Sequence, residues 1–406
     1  MNRKFSLLPI LTLLLLPLLL LAASASAAPA GGGQTTIGNG TPASCQTQDA
    51  INALSNAVVA GGDIYFDCGA EVTTLYANTN ATNQTVTLHG DGRIILSGQN
   101  LRQLFYVYGT GNLTLKDLIL EDGNASNGGA LFVGPDATVT INRTTFVSNE
   151  TDTHGGAIYN LGTLSLYDST LGSNFATQSG GGIYNEGTVT AENTYFVSNQ
   201  SAYGGAIRQV NGNLSVERSA FRSNIATQWG GAVFAEHNPV SFINTTFSNN
   251  RADKGGGLYH GDGNLTLLNV TFNENRADTG GAVYHATGVT DIRNTIFAGS
   301  LDETGANPSL NCDGPFMHSE GHNIISDGTC FASPGVGGDL FHTDPMLAVW
   351  ETPAHLYNLL PSSPALGYGL DCPPIDQRGF PRPLGLGCEV GSVESGSLVY
   401  LPLIVR

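Results

Sequence analysis

Two glutamates occupy the same position in neighbouring copies of a repeated sequence. Glu192 and Glu217 lie 25 residues apart, each four residues before a large apolar residue. Adjacent parallel strands would place them roughly 5 Å apart, a separation suited to the acid and nucleophile of a glycoside hydrolase. The alternative is a solvated ladder of matched charges. We call the residues at one position of successive repeats a column. The column one position after the glutamates favours the charge ladder, because it mixes acidic and basic residues: Asp117, Arg143, Asp168, Asn193 and Arg218.

Two histidines form a second candidate site. His260 and His285 share one column of the repeat, with Asp262 close by. Imidazole and carboxylate are ligand types for transition metals. The alternative is that both are exposed turn residues, like Asn160 and Asn185 in the same column. No third fixed ligand is in view, so we predict no metal site and no cofactor.

An aromatic column is the third candidate, for ligand binding. Alternation along a strand places it opposite an aliphatic column, hence outward. Arg208 interrupts the column and could not lie unpaired in a dry core. Exposed aromatic rows mark interaction surfaces, and this one would stack on sugar rings. The alternative, which we favour, is that the rings stack on each other. The ligand candidates are Tyr159, Tyr184, Phe234, Tyr259 and Tyr284.

These columns exist because two short sequence motifs, here called phrases, repeat with the same period. The first is a pair of glycines followed by an aliphatic residue, at 128, 155, 180, 204, 230, 255 and 280. The second centres on a large apolar residue at Phe146, Leu171, Phe196, Phe221, Phe247, Phe272 and Phe297. A fixed period with two markers in phase predicts structural units stacked on their neighbours.

One repeat holds three short β-prone segments separated by turn residues, with no room for a helix. This predicts an all-β fold, a parallel β-helix of nine to eleven coils. An asparagine follows each large apolar residue by three positions, which predicts a buried amide ladder. These asparagines are Asn149, Asn174, Asn199, Asn224, Asn250 and Asn275.

The two ends differ from the repeats. Residues 1–27 combine a basic start, an apolar run and a small-residue cleavage pattern, which favours a removed signal peptide over an uncleaved anchor. Residues 46–59 have helical spacing and predict a helix that covers the first coil. Six cysteines in an exported chain predict disulfides, and spacing suggests Cys45–Cys68, Cys312–Cys330 and Cys372–Cys388 among fifteen connectivities. A net charge of −17 argues against a nucleic-acid partner.

The glycine phrase and the Phe-x-x-Asn phrase together resemble the repeat of chlamydial polymorphic outer membrane proteins, across about residues 128–297. That resemblance implies a right-handed β-helix displayed outside the cell, often as an adhesin. The general handedness of parallel crossovers agrees. Residues 61–69 resemble the opening of secreted pectin-lyase-like proteins. The segments DPML (344–347), LPSSPA (360–365), DQRG (376–379) and CEVG (388–391) resemble the choice-of-anchor Q domain, which implies surface attachment or export.

The sequence therefore predicts five parts. They are a signal peptide (1–27), a linker with a cap helix (28–60), the repeats (61–300), a disulfide-containing anchor-like region (301–395) and a short apolar tail (396–406). We expect a secreted or surface-attached monomer without a membrane span in its mature form. It would act as an adhesin-like or structural binding module for a carbohydrate or a surface protein. A polysaccharide lyase or glycoside hydrolase is the alternative.

Overall fold

Alternation of buried and outward side chains builds every coil. In the strand Thr188–Glu192, for example, Val189 and Ala191 are buried while the residues between them are half exposed. The computed structural model describes residues 33–332, 336–351, 355–385 and 387–394. The predicted signal peptide and the apolar tail lie outside these residues. In the described residues the chain forms a β-solenoid of parallel strands, as predicted.

Two ladders of strands form the largest sheet, and the long strands Thr85–Ser97 and Asn112–Glu121 belong to both. The other strands of ladder A are Gln34–Gly38, Gly62–Asp67, Thr138–Asn142, Thr163–Tyr167, Thr188–Glu192, Asn213–Glu217, Val240–Ile243, Asn264–Leu268, Val289–Arg293 and Ser319–Gly321. Those of ladder B are Thr73–Tyr76, Thr145–Val147, Thr170–Gly172, Tyr195–Val197, Ala220–Arg222, Thr246–Ser248, Thr271–Asn273, Ile296–Ala298, Ile324–Ile325 and Leu340–Phe341. Each ladder has 12 strands among the described residues. The solenoid is thus slightly longer than predicted, because strands before residue 61 and after residue 300 continue it.

Two further ladders complete the coils. Ladder C contains Asn80–Thr82, Phe105–Val107, Leu131–Val133, Ile158–Asn160, Ile183–Asn185, Ile207–Gln209, Val233–Ala235, Leu258–His260, Val283–His285 and Cys312–Asp313. Ladder D contains Asn124–Asn127, Glu150–His154, Phe175–Ala176, Gln200–Tyr203 and Ile225–Trp229. The predicted three-strand coil did not include ladder D. Its strands are short, and most of their side chains lack the clean alternation that marks a strand.

The predicted inward columns form the core. The aliphatic residues of ladder C, from Leu131 to Val283, are fully buried. The large apolar residues of ladder B are also fully buried, and their rings stack along the solenoid. Phe196 and Phe221, for instance, have ring centroids 4.7 Å apart. Each coil alone exposes its apolar face, so the core exists only when neighbouring coils stack.

The asparagine column forms the predicted amide ladder. Asn199 Oδ1 accepts hydrogen bonds from the backbone N–H of Asn174 (3.2 Å) and from its Nδ2 (2.9 Å). Asn199 Nδ2 in turn donates to Asn224 Oδ1 (3.0 Å) and to the Leu171 carbonyl (2.8 Å). The same pattern runs from Asn149 to Asn275, and all six side chains are buried. From Asn149 to Asn250, each buried amide therefore has partners in the coils on either side, and the Asn275 amide closes the ladder with bonds to the preceding coil.

The two glycines of each pair have different roles. The first glycine of each pair has positive φ, for example 71° at Gly155, a region that glycine enters without steric cost. The second permits close approach of the next coil. A Cβ on Gly156 would lie 2.1 Å from the carbonyl oxygen of Gly181. Other residue types would push the coils apart at this turn.

A helix covers the N-terminal end. A short helix, α1 (Pro42–Cys45), precedes α2 (Gln48–Ala60), which begins at the N-cap residue Thr47. The buried face of α2 includes Leu54 and Val58, as predicted, whereas Ile51 is only half buried. Thr82 Oγ1 donates to the Val58 carbonyl (3.0 Å), which fixes the helix against the first strand of ladder C. The disulfide Cys45–Cys68 joins α1 to the end of Gly62–Asp67.

The C-terminal region lies across the last coils. Residues 355–385 and 387–394, here called the strap, contact the corner between ladders A and B. There Asn244, Asn269 and Asn294 donate to strap carbonyls at 2.8–2.9 Å. Inside the strap, the buried Arg382 pairs with Glu394 (Nη1–Oε2, 3.2 Å). The remaining two predicted disulfides, Cys312–Cys330 and Cys372–Cys388, form in this half of the chain.

Candidate ligand-binding site

The two candidate catalytic glutamates are neighbours in ladder A, but one is already engaged. Glu192 and Glu217 pair directly in register. Glu192 forms an ion pair with Arg218. Arg143 forms another with Asp117 (Nε–Oδ1, 2.7 Å). A general acid needs surroundings that favour its protonated form. The Arg218 guanidinium instead stabilises the ionised carboxylate of Glu192. The arrangement matches the charge ladder that the sequence favours.

We expect the purified full chain to leave plant, algal and bacterial polysaccharides at their original length in size-exclusion chromatography. The reason is that Glu192 is held in a partly exposed ion pair rather than in an apolar pocket. Shortened chains would contradict this. Loss of that shortening in Glu192→Gln or Glu217→Gln, with the fold intact, would then assign these residues to catalysis.

The histidine pair is buried, which corrects the prediction of exposed turn residues. His260 is 0% exposed and His285 is 4% exposed, and their Nδ1 atoms lie 2.9 Å apart. They continue a column in which Asn160 Nδ2 donates to Asn185 Oδ1 (2.6 Å), and Asn185 Nδ2 donates to Gln209 Oε1. Each histidine ends a strand of ladder C, two residues after the buried Leu258 or Val283, so strand alternation points it inward. Asp262 contacts His237 instead (Oδ2–Nδ1, 3.0 Å), and the described residues contain no cluster of three metal-ligating side chains.

The aromatic column lies on the outward side of ladder C, and its rings stack on each other. The centroids of Tyr159 and Tyr184 are 4.9 Å apart with the planes at 19°, and those of Phe132 and Tyr159 are 5.5 Å apart. Tyr259 and Tyr284 stack in the same way at 5.0 Å. A ring stacked on both sides presents its edges, not its faces, to solvent. The continuous strip therefore suits self-stacking better than sugar stacking.

Two members of the predicted strip are covered. Phe234 is 3% exposed and Tyr259 is 8% exposed, although exposed rings were expected. The covering residue is Trp229 of ladder D, whose ring stacks on Tyr259 at 4.9 Å and meets Phe234 edge-on at 5.7 Å. Ladder D thus forms a second wall beside the aromatic column.

A cleft opens where Arg208 interrupts the column. Its volume is about 370 Å³, within the usual range of ligand pockets. Ladders C and D form its two sides, and together they enclose a mainly aromatic space. The lining residues are His154, Ser179, Tyr184, Tyr203, Arg208, Val210, Trp229, Phe234 and Glu236. We call this space the Arg208 cleft.

The polar groups of the cleft are held in place by their neighbours. Arg208 pairs with Glu236 of the next coil, and its Cζ lies 3.6 Å from the centroid of the Phe234 ring. Both contacts fix the guanidinium. His154 contacts Tyr184 (centroids 4.5 Å apart), and burial lowers the pKa of this histidine. Burial and the nearby Glu186 carboxylate also raise the pKa of Tyr184, so this hydroxyl stays protonated.

Sequence reasoning missed the half of the cleft that ladder D supplies. His154, Tyr203 and Trp229 were not candidates. Each directly precedes a glycine pair, in a column that pairs through Asn127, His154, Ser179, Tyr203, Trp229, Lys254 and Thr279. That column was readable from the sequence, because the glycine phrase fixes its phase. It was overlooked since its members share no residue type.

Comparison with known proteins agrees with the repeat pattern. Residues 244–261 and 269–286 match the family model of the Chlamydia polymorphic membrane protein (Chlamydia_PMP) repeat. No curated protein matches the chain significantly. Among the described residues, none of the helices has the length and apolar character needed to cross a membrane. The chain is thus a parallel β-helix whose repeats are similar to the polymorphic membrane protein type.

Proposed function

We propose that this chain is an adhesin-like binding module carried at the cell surface or outer membrane. The observation that carries the proposal is the Arg208 cleft, a preformed pocket on the outward side of a stacked solenoid. An opening of this size is where a ligand can be enclosed.

Two further observations support the location and the role. The repeats similar to Chlamydia polymorphic membrane proteins point to a surface or outer membrane protein. Three disulfides in the described residues suit an oxidising compartment outside the cytosol. The anchor-like C-terminal region would attach the β-helix and leave its side surface free for binding.

Labelling of intact producing cells with an antibody against the chain tests the location. We expect labelling without permeabilisation, and labelling only after permeabilisation would contradict surface display.

Beads coated with the full chain test the binding role. Adhesion to neighbouring or host cells, blocked by soluble protein, is expected. Surface display without adhesion would instead indicate a purely structural coat protein.

A further inference from the structure

We propose that the Arg208 cleft binds an uncharged sugar unit of an extracellular glycan. This inference rests on the proposed binding role and names the ligand class and the site. Its argument uses the walls of the cleft, its polar groups and its charge.

The walls offer aromatic surface that the rest of the column does not. Tyr184 faces Arg208, not another aromatic ring, in the adjacent strand of ladder C. Tyr203 and Trp229 meet edge to face, with centroids 5.6 Å apart. They therefore do not form a parallel stack that would cover the cleft. The apolar C–H faces of a pyranose ring pack well on such rings, whose bodies are apolar and whose faces are electron-rich.

The polar groups can bind hydroxyls in several directions. A guanidinium has five N–H donors, and the contacts of Arg208 to Gln209 and Glu236 use Nη1 and Nη2. The Glu236 carboxylate retains acceptor capacity beside this pair. His154 Nδ1 is buried and has no hydrogen-bond partner in the described part of the chain. A buried polar atom without a partner is uncommon, and a sugar hydroxyl would supply one.

Charge restricts the ligand to an uncharged one. Arg208 and Glu236 neutralise each other inside the cleft. The chain carries a net charge of −17, which repels anionic ligands at long range. A cationic ligand would meet the Arg208 guanidinium, which already occupies the Phe234 face. A neutral ring with both apolar faces and hydroxyls fits these conditions.

The chain provides its own reporter. Trp229 and Trp350 are the two tryptophans, so the full chain with Trp350→Phe leaves Trp229 as the fluorescent residue in the cleft. We expect a saturable change in its emission with neutral mono- and disaccharides such as glucose, galactose, N-acetylglucosamine and cellobiose. We expect no change at the same concentrations of glucuronate or choline. Binding of only those charged ligands would overturn the ligand class.

Arg208→Tyr is the matched variant. It restores the aromatic column and reproduces a contact found two coils earlier, where the Tyr159 hydroxyl donates to Glu186 of the next coil (3.4 Å). A tyrosine ring here would cover the face of Tyr184 in the adjacent strand and would remove the guanidinium donors. We therefore expect at least a tenfold loss of sugar affinity by saturation-transfer NMR, with an unchanged circular dichroism spectrum. Arg143→Gln removes the same charge from the turn between ladders A and B and should retain full affinity. Equal binding by the Arg208→Tyr variant would show that the cleft is not the site.

Glu236→Gln gives a second test that keeps the cleft open. It leaves the Arg208 charge without its carboxylate partner, so glucuronate should bind at least tenfold more tightly than to the unmodified chain. No gain would contradict the assignment of Arg208 and Glu236 as ligand-contacting groups. If no sugar binds but coated beads still adhere to cells, the site proposal fails and the surface role stands. Loss of both would remove the proposed function as well.

Discussion

Replacing Asn199 with Ala is expected to lower the free energy of unfolding by about 3–5 kcal/mol. The side chain makes four hydrogen bonds in a buried position, two to Asn174 and two to partners on other coils. Removing it leaves the backbone N–H and one side-chain N–H of Asn174 without partners and takes one hydrogen bond from the Leu171 carbonyl. Each buried unsatisfied group costs about 1–3 kcal/mol. Chemical denaturation followed by circular dichroism measures the change.

Asn213→Thr is the control for that experiment. Asn213 is exposed, and threonine occupies the paired position in the preceding coil, Thr188. We expect a change within about 0.5 kcal/mol. If Asn199→Ala were as mild as this control, the amide ladder would contribute little, and stacking of the apolar columns would hold the coils together.

Acidification is expected to destabilise the fold through the histidine pair. Burial and the neighbouring His285 lower the pKa of His260 to about 4, and burial lowers the pKa of His285. An unfolded histidine has a pKa of about 6.5, so the unfolded chain binds more protons below that pH. Stability from this pair is complete above pH 6.5 and is lost as pH falls toward 4. The loss from His260 is up to about 3 kcal/mol, at about 1.4 kcal/mol for each pKa unit.

The double variant His260→Asn with His285→Asn isolates this effect. Asn160 and Asn185 already form such a pair in the same column, where Asn185 stands three coils before His260. Unfolding free energies of both proteins are measured from pH 8 to pH 4. Below pH 6.5, we expect the free energy of unfolding of the original chain to fall more than that of the asparagine variant. Carboxylates occur in both proteins, so their contribution cancels in the difference. The charged group nearest the pair, Asp262, is retained in both proteins. Parallel curves would contradict a role for the histidines.

The period made the coil predictable, residue by residue. Ile158 and Phe196 could be placed inside, and Asn199 in a ladder, because each recurs at the same phase in consecutive coils. A side chain that repeats every 25 residues meets its own kind in the next coil, so its neighbours are known in advance. The same logic found the outward side of the Tyr159 column and favoured the ring–ring stacking that closes its faces. It did not find the cover that Trp229 places over Phe234 and Tyr259.

The candidate site escaped prediction because it is a departure from the repeat. Arg208 was correctly placed outward, but its partner Glu236 lies 28 residues away on the next coil, in a column that held no candidate. Trp229 and Tyr203 stand in the column before the glycine pairs, whose members share no residue type. The strap was equally hidden, since Asn244 and Asn269 bind backbone carbonyls more than 100 residues away. Such carbonyl contacts leave no mark in the residue types.

The strap has a consequence for how this chain can change in length. It bonds to Asn244, Asn269 and Asn294, one in each of three consecutive coils, and so acts as a ruler that fixes their number. Among the described residues, the coils before residue 150 carry no such bond to these carbonyls and supply no lining residue of the Arg208 cleft. Duplication or loss of a 25-residue unit there would move the N-terminal cap relative to the Arg208 cleft in steps of about 4.8 Å. The distance from the N-terminal cap to the Arg208 cleft can therefore evolve in steps of one coil. On the other side of the cleft the strap fixes the number of coils.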